Sequence, residues 1–142
     1  MKRVFCFVAA AVTASAVIMS GCSDFDFNPV GKWTLSENNL YVGDDLVDHM
    51  DKGSFIYETN YVMEKCGTGY ILVSGERMRD FTYEYEKNSV TIHINEKGQA
   101  VVDLKLDVSD DGKTLTRADM QRYLDEDGNN VVCREEYVFE RE

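Results

Sequence analysis

Residues 80–95, DFTYEYEKNSVTIHIN, decide the fold. Phe81, Tyr83 and Tyr85 alternate with Thr82, Glu84 and Glu86; after Lys87-Asn88, Val90, Ile92 and Ile94 alternate with Thr91, His93 and Asn95. A period of two sends successive side chains to opposite faces of an extended chain, so each run has one apolar and one polar face. Asn tolerates the positive φ of a tight turn, and the two runs read as a hairpin.

The alternation continues in both directions. Val102, Leu104, Leu106 and Val108 oppose Asp103, Lys105 and Asp107, and a last run covers residues 131–141. Upstream, Phe55, Tyr57, Tyr61 and Met63 share one parity while Glu58, Asn60 and Glu64 take the other, and a first run opens near Val30 to Ser36. Turn chemistry separates the runs at Gly67-Thr68-Gly69, Ser74-Gly75, Lys97-Gly98, Asp111-Gly112 and Asp127-Gly128. About eight antiparallel strands with short consecutive connections predict an all-β fold, an up-and-down barrel or a strongly curled sheet. Only Asn38 to Gly53 departs from the pattern. Asp44 or Asp45 as cap, Leu46, Val47 and Met50 on one side and Gly53 at the end predict a short helix after the first strand, either a lid or a surface excursion.

Before this domain, Lys2 and Arg3 precede an uncharged run, Val4 to Met19, in the pattern of a secretory leader. As a helix the run would reach only about 24 Å, short of the roughly 30 Å of bilayer hydrocarbon, so it does not read as a permanent span. Met19-Ser20-Gly21-Cys22 resembles the bacterial lipobox, in which the cysteine thiol is acylated and the peptide bond before it is cut. Met stands where Leu is commoner. The resemblance implies a signal peptide over residues 1–21, a lipid anchor at Cys22 carrying acyl chains such as palmitate, a tether over 22–29 and the domain over 30–142. A plain signal peptide with Cys22 left free is the alternative. Several chains at roughly 0.8 kcal/mol per buried methylene would hold the protein on a membrane firmly. Ser23, where inner-membrane retention signals have Asp, implies the outer membrane. Asp24 and Asp26 resemble the acidic export signal of surface lipoproteins, leaving the cell surface and the periplasmic leaflet both open.

Loss of residues 1–21 leaves 13 basic side chains against 26 acidic ones, a formal charge of −13. That sign excludes nucleic acid and anionic headgroups as electrostatic partners. It leaves the membrane through the acylated cysteine, a small apolar ligand or an envelope protein. Of the remaining cysteines, Cys66 and Cys133 are available for a disulfide that would stabilise by about 4 kcal/mol in the chain-entropy model. Parity sets Cys133 inward with Tyr137 and Phe139 but puts Cys66 on the polar side of its strand, so two unpaired thiols are the competing reading.

The two ends of the domain carry a second resemblance. Gly31-Lys32-Trp33 opens the first strand and Tyr137-Val138-Phe139-Glu140-Arg141 closes the last, a pairing that resembles lipocalin-like proteins and, at this length, the small lipocalin-like lipoproteins of Gram-negative bacteria. The resemblance implies that Gly31 and Trp33 lie at the closed end of a lipocalin-like barrel with Arg141 packed over the indole, Arg134 being second choice. The Thr-Asp-x-x-Tyr segment of typical lipocalins is absent.

Motifs for chemistry are scarce. His49 and His93 are the only histidines, neither has a ligand-type spacing, and no phosphate loop or nucleophile elbow occurs. Asp125, Asp127, Asn129 and Glu136 match part of a calcium-loop template, but Asn130 stands where that loop needs Gly, and a hairpin at Asp127-Gly128 accounts for the same residues. The expectation is a non-catalytic protein without cofactor or metal. Phe55, Tyr57, Tyr61, Phe81, Tyr83, Tyr85, Tyr137 and Phe139 either line a cavity for a small apolar or amphipathic ligand or fill it. In the second case the protein is a surface structural module contacting protein or glycan.

Overall fold

The computed structural model describes residues 2–3, 26–95 and 101–142, so Cys22 and the Lys97-Gly98 turn lie outside the described residues. The strands are β1 (Lys2–Arg3), β2 (Gly31–Val42), β3 (Asp45–Asp51), β4 (Thr59–Met63), β5 (Thr68–Val73), β6 (Glu76–Tyr85), β7 (Ser89–Ile94), β8 (Val102–Val108), β9 (Thr114–Leu124) and β10 (Asn130–Arg141). Eight of them close an antiparallel barrel in the order β2-β4-β5-β6-β7-β8-β9-β10, with β10 pairing back onto β2. This is the predicted up-and-down topology. β1 pairs with the end of β6, Lys2 opposite Tyr85 and Arg3 opposite Glu84.

The hairpins follow from the turn residues. Ser74 and Gly75 both have positive φ, 50° and 83°, the combination a two-residue turn needs to match strand twist. At Asp127-Gly128 the Asp125 carboxylate accepts from the amides of Asp127 and Asn129, at 3.0 and 2.7 Å, and Gly128 takes φ 80°. Those bonds hold the Asp125 carboxyl below its usual range, Asn129 contributing most. The partial calcium-loop match is thus a capped hairpin, and Glu136 lies on β10 beside Arg134.

One predicted element is corrected. Asn38 to Gly53 is a second hairpin rather than a helix: β2 runs on to Val42, turns at Gly43 (φ 60°) and returns as β3, followed by a 3-10 turn over Lys52–Ser54. The reason is pairing. β2 uses Gly31 to Thr34 for β4 and its upper half, Glu37 to Val42, for β3. A free ladder edge beside an alternating polar sequence outweighs a two-turn helix with little apolar surface to bury.

The lower end of the barrel, where β2 begins and β10 ends, is packed solid. Trp33, Val90, Ile92, Leu106 and Leu115 have no exposed surface, and Met63, Phe139, Tyr83, Phe81 and Tyr61 surround them. The segment expected to be a tether takes part: Phe27 and Pro29 are buried against this end. In the upper half the barrel wall thins. β8 and β9 pair only at Asp107–Thr116 and Val108–Leu115, although both strands continue upward, so among the described residues Arg117 to Leu124 are in register with β10 alone.

Candidate functional site

Closure at the lower end matches the expectation for Gly31, Trp33 and Arg141. Trp33 and Arg141 are direct cross-strand partners, and the Arg141 guanidinium lies 4.4 Å from the indole centroid. It also donates to the carbonyls of Val30, at 3.2 Å, and Asn28. Trp33 Nε1 donates to the Pro29 carbonyl at 2.9 Å, so the buried indole is satisfied. Gly31 takes φ 143°, a conformation that favours glycine, beside the guanidinium. Arg134, the second choice, instead lies over Tyr41 at 4.5 Å, near the other end of β10.

The predicted ligand-lining aromatics divide. Tyr61, Phe81, Tyr83 and Phe139 are buried core: Tyr61 stacks on Phe139 with centroids 4.4 Å apart, and Phe81 meets both Tyr61 and Tyr83 edge-on. Tyr83 donates to the Glu64 carbonyl at 2.6 Å. Tyr85 packs edge-on against Phe27 at the closed end. Phe55 and Tyr57 are a correction. Their alternation belongs to no strand, since β4 begins only at Thr59, and Tyr57 is 63% exposed in the loop after the 3-10 turn. Tyr137 stands above them in a polar environment that the Tyr61 hydroxyl also reaches.

That environment was not foreseen from the sequence. Arg117 and Asp119 on β9 and Glu135 and Tyr137 on β10 share the inward parity, and Asn38 on β2 is paired with Tyr137. The Arg117 guanidinium sits 4.5 Å from the Tyr137 ring centroid and contacts Asp119 at 2.8 Å. Asn38 Nδ2 donates to Glu135 Oε1 at 3.1 Å. Burial raises the Tyr61 hydroxyl above its usual range, and Arg117, in hydrogen-bonding reach, opposes that rise. Tyr137 is pushed up to about 12, first by burial and then by its hydrogen bond to Glu135. Arg117 Nε is buried without a hydrogen-bond partner among the described residues. Four strands therefore bring one guanidinium, two carboxylates, an amide and two phenols together above the apolar plug. The signal was present in the Leu115, Arg117, Asp119 row: an inward parity that turns charged halfway along a strand marks where the dry core ends.

The proposed Cys66–Cys133 bridge does not form. Cys133 is a free, buried thiol. Topology explains why. Cys66 follows β4 at the Gly31 end of β2, whereas Cys133 pairs with Val42 at the other, so on the order of 30 Å separate them at about 3.3 Å per residue. A disulfide tolerates Cα atoms no more than about 7 Å apart.

On the outer wall, a groove of about 620 Å³ runs over β5 to β7, lined by Glu64, Thr68, Asp80, Thr82 and His93 among others. His93 faces outward as predicted, with Nδ1 2.6 Å from Asp103 and Nε2 3.7 Å from Glu84. His49, on the exposed β3, meets the Asn39 side chain. No protein-family model, curated protein or solved structure matches this chain.

Proposed function

We propose that the chain is a non-catalytic binding module, anchored to the bacterial outer membrane through an acylated Cys22, that captures a small amphipathic molecule head-first in the upper half of its barrel. The observation that carries the reading is Arg117. Its Nε–H is buried and unspent above a plug of fully buried side chains. A buried donor without a partner costs about 1–3 kcal/mol, which a ligand oxygen would recover.

The neighbours narrow the ligand. Asp119 and Glu135 outnumber Arg117, and the mature chain carries −13, so an anionic head is repelled. An uncharged head rich in hydroxyl, ether or carbonyl oxygens fits the donor. The filled lower half leaves no room for a deep-buried tail, which would lie along the upper wall instead. The filled core equally suits a surface module contacting protein or glycan, and the ligand test separates the two readings. Titrating the protein with decyl maltoside and with decanoate, both below micelle formation, should shift the NMR signals of Asn38, Arg117 and Tyr137 with the maltoside only. Shifts confined to the outer wall, or none, would sink the capture reading. Trp33 fluorescence is an unsuitable readout, because the only tryptophan lies fully buried at the closed end.

A further inference from the structure

Backbone valence in the upper wall is unbalanced. From Arg117 to Leu124, β9 pairs with β10 on one side and has no ladder partner among the described residues on the other, because β8 diverges after the Asp107–Thr116 pair. Unpaired strand edges template the addition of another strand, and proteins guard them with lysines, prolines, bulges or charged outward residues. β8 is guarded: Asp103, Lys105 and Asp107 alternate along it and are all exposed. Residues 117–124, RADMQRYL, contain no lysine or proline, their pairing with β10 has no bulge, and Arg122 is their single charge on the outer face, Arg117 and Asp119 lying on the inward face bonded to each other. Met120 and Leu124 are 64% and 66% exposed and Tyr123 is 46% exposed.

We propose that this edge joins two copies of the chain, β9 against β9 antiparallel about a two-fold axis at Met120. The sequence is self-complementary in that register. In a symmetric antiparallel pair, opposed residues share a face and so must share parity, which leaves few registers. Centring on Met120 sets Asp119 opposite Gln121 of the second copy, Ala118 opposite Arg122 and Arg117 opposite Tyr123, with no like charges opposed. Centring on Asp119 opposes two carboxylates, centring on Arg122 opposes two guanidiniums, and centring on Gln121 opposes no like charges but sets Met120 against Arg122, so Met120 gives up its apolar partner. Centring on Ala118 needs Leu115 and Thr116, which β8 already holds. Met120 meets its own copy, and the exposed apolar row Ala118, Met120, Leu124 becomes part of a continuous outer sheet.

The register makes the test specific. Opposed residues of an antiparallel pair have Cα atoms roughly 4.5–5.5 Å apart, inside the disulfide range, whereas two copies of residue 124 would lie eight residues apart, roughly 27 Å. In cells making the full chain, oxidation should crosslink M120C into a dimer on a non-reducing gel, while L124C stays at the background of the parent chain with its buried Cys133. Two differently tagged copies should co-purify, and M120K, which sets two ammonium groups face to face, should lower that co-capture by roughly tenfold. A monomeric M120C band, or L124C crosslinking as well as M120C, overturns the proposal, as does co-capture that M120K leaves unchanged.

Discussion

Gly69 shows how tightly the lower core is set. A Cβ there would lie 2.4 Å from the Val62 carbonyl oxygen and 2.5 Å from the Phe81 ring, and the first of these is backbone that cannot step aside. Gly69→Ala should therefore destabilise by about 1–3 kcal/mol, seen as a lower urea midpoint with an unchanged slope. An unaltered midpoint would mean that β4 and β5 slide apart freely. The buried phenols make a second residue-level prediction. Tyr83 is pushed up to about 12, by burial first and then by Tyr85 and Glu64, and Tyr137 likewise to about 12. The unfolded chain loses these protons near pH 10 while the folded chain keeps them, so the folded state binds more protons between pH 10 and 12. Their contribution to stability is complete below pH 10 and drains away as pH rises through that window. The urea midpoint should fall there, less steeply in Tyr83→Phe, and a midpoint flat to pH 12 would contradict the buried placement of Tyr83 and the half-buried one of Tyr137. At neutral pH the same variant should lose about 1 kcal/mol with the bond to Glu64.

Elements were legible where alternation and turn residues agreed. β6 and β7 fall where residues 80–95 put them, because every inward position there is apolar and the turn has one solution. The predicted helix at Asn38 to Gly53 failed because a strand edge created by β2 is a tertiary fact that no local pattern announces. Phe55 and Tyr57 failed for the opposite reason: their parity is correct for a strand, but the chain needs those residues to travel from the end of β3, opposite Glu37, to the start of β4. The polar interior was missed because Arg117 and Asp119 look like solvent-facing residues until their neighbour Leu115 fixes the inward face. β9 also carries an element-level prediction. If β10 is its only partner above Thr116, every second amide from Arg117 to Leu124 should exchange slowly with deuterium in monomeric protein and the others fast. Uniform protection along the strand would show the β8–β9 seam closed.

For the whole molecule, the two ends of the barrel differ in lining, apolar below and polar above, and residues 26–30 lie at the lower one. Residues 27–30 supply Phe27 to the core, the Pro29 carbonyl to Trp33 Nε1, and the Asn28 and Val30 carbonyls to Arg141. An anchor at Cys22 would therefore hold the closed end toward the bilayer and leave the polar upper interior facing away from it. Removing the segment exposes apolar core, orphans a buried indole donor and strips the guanidinium of its acceptors. Losing a buried Phe costs about 3–5 kcal/mol and an orphaned donor about 1–3, a large share of the 5–15 kcal/mol typical of a domain. A chain beginning at residue 31 should thus melt far below one beginning at residue 26, or fail to fold cooperatively. Phe27→Ala in the longer chain should account for about half of the difference. Equal melting temperatures for the two chains would make residues 26–30 a mere tether and remove the structural reason for the open end to face away from the membrane.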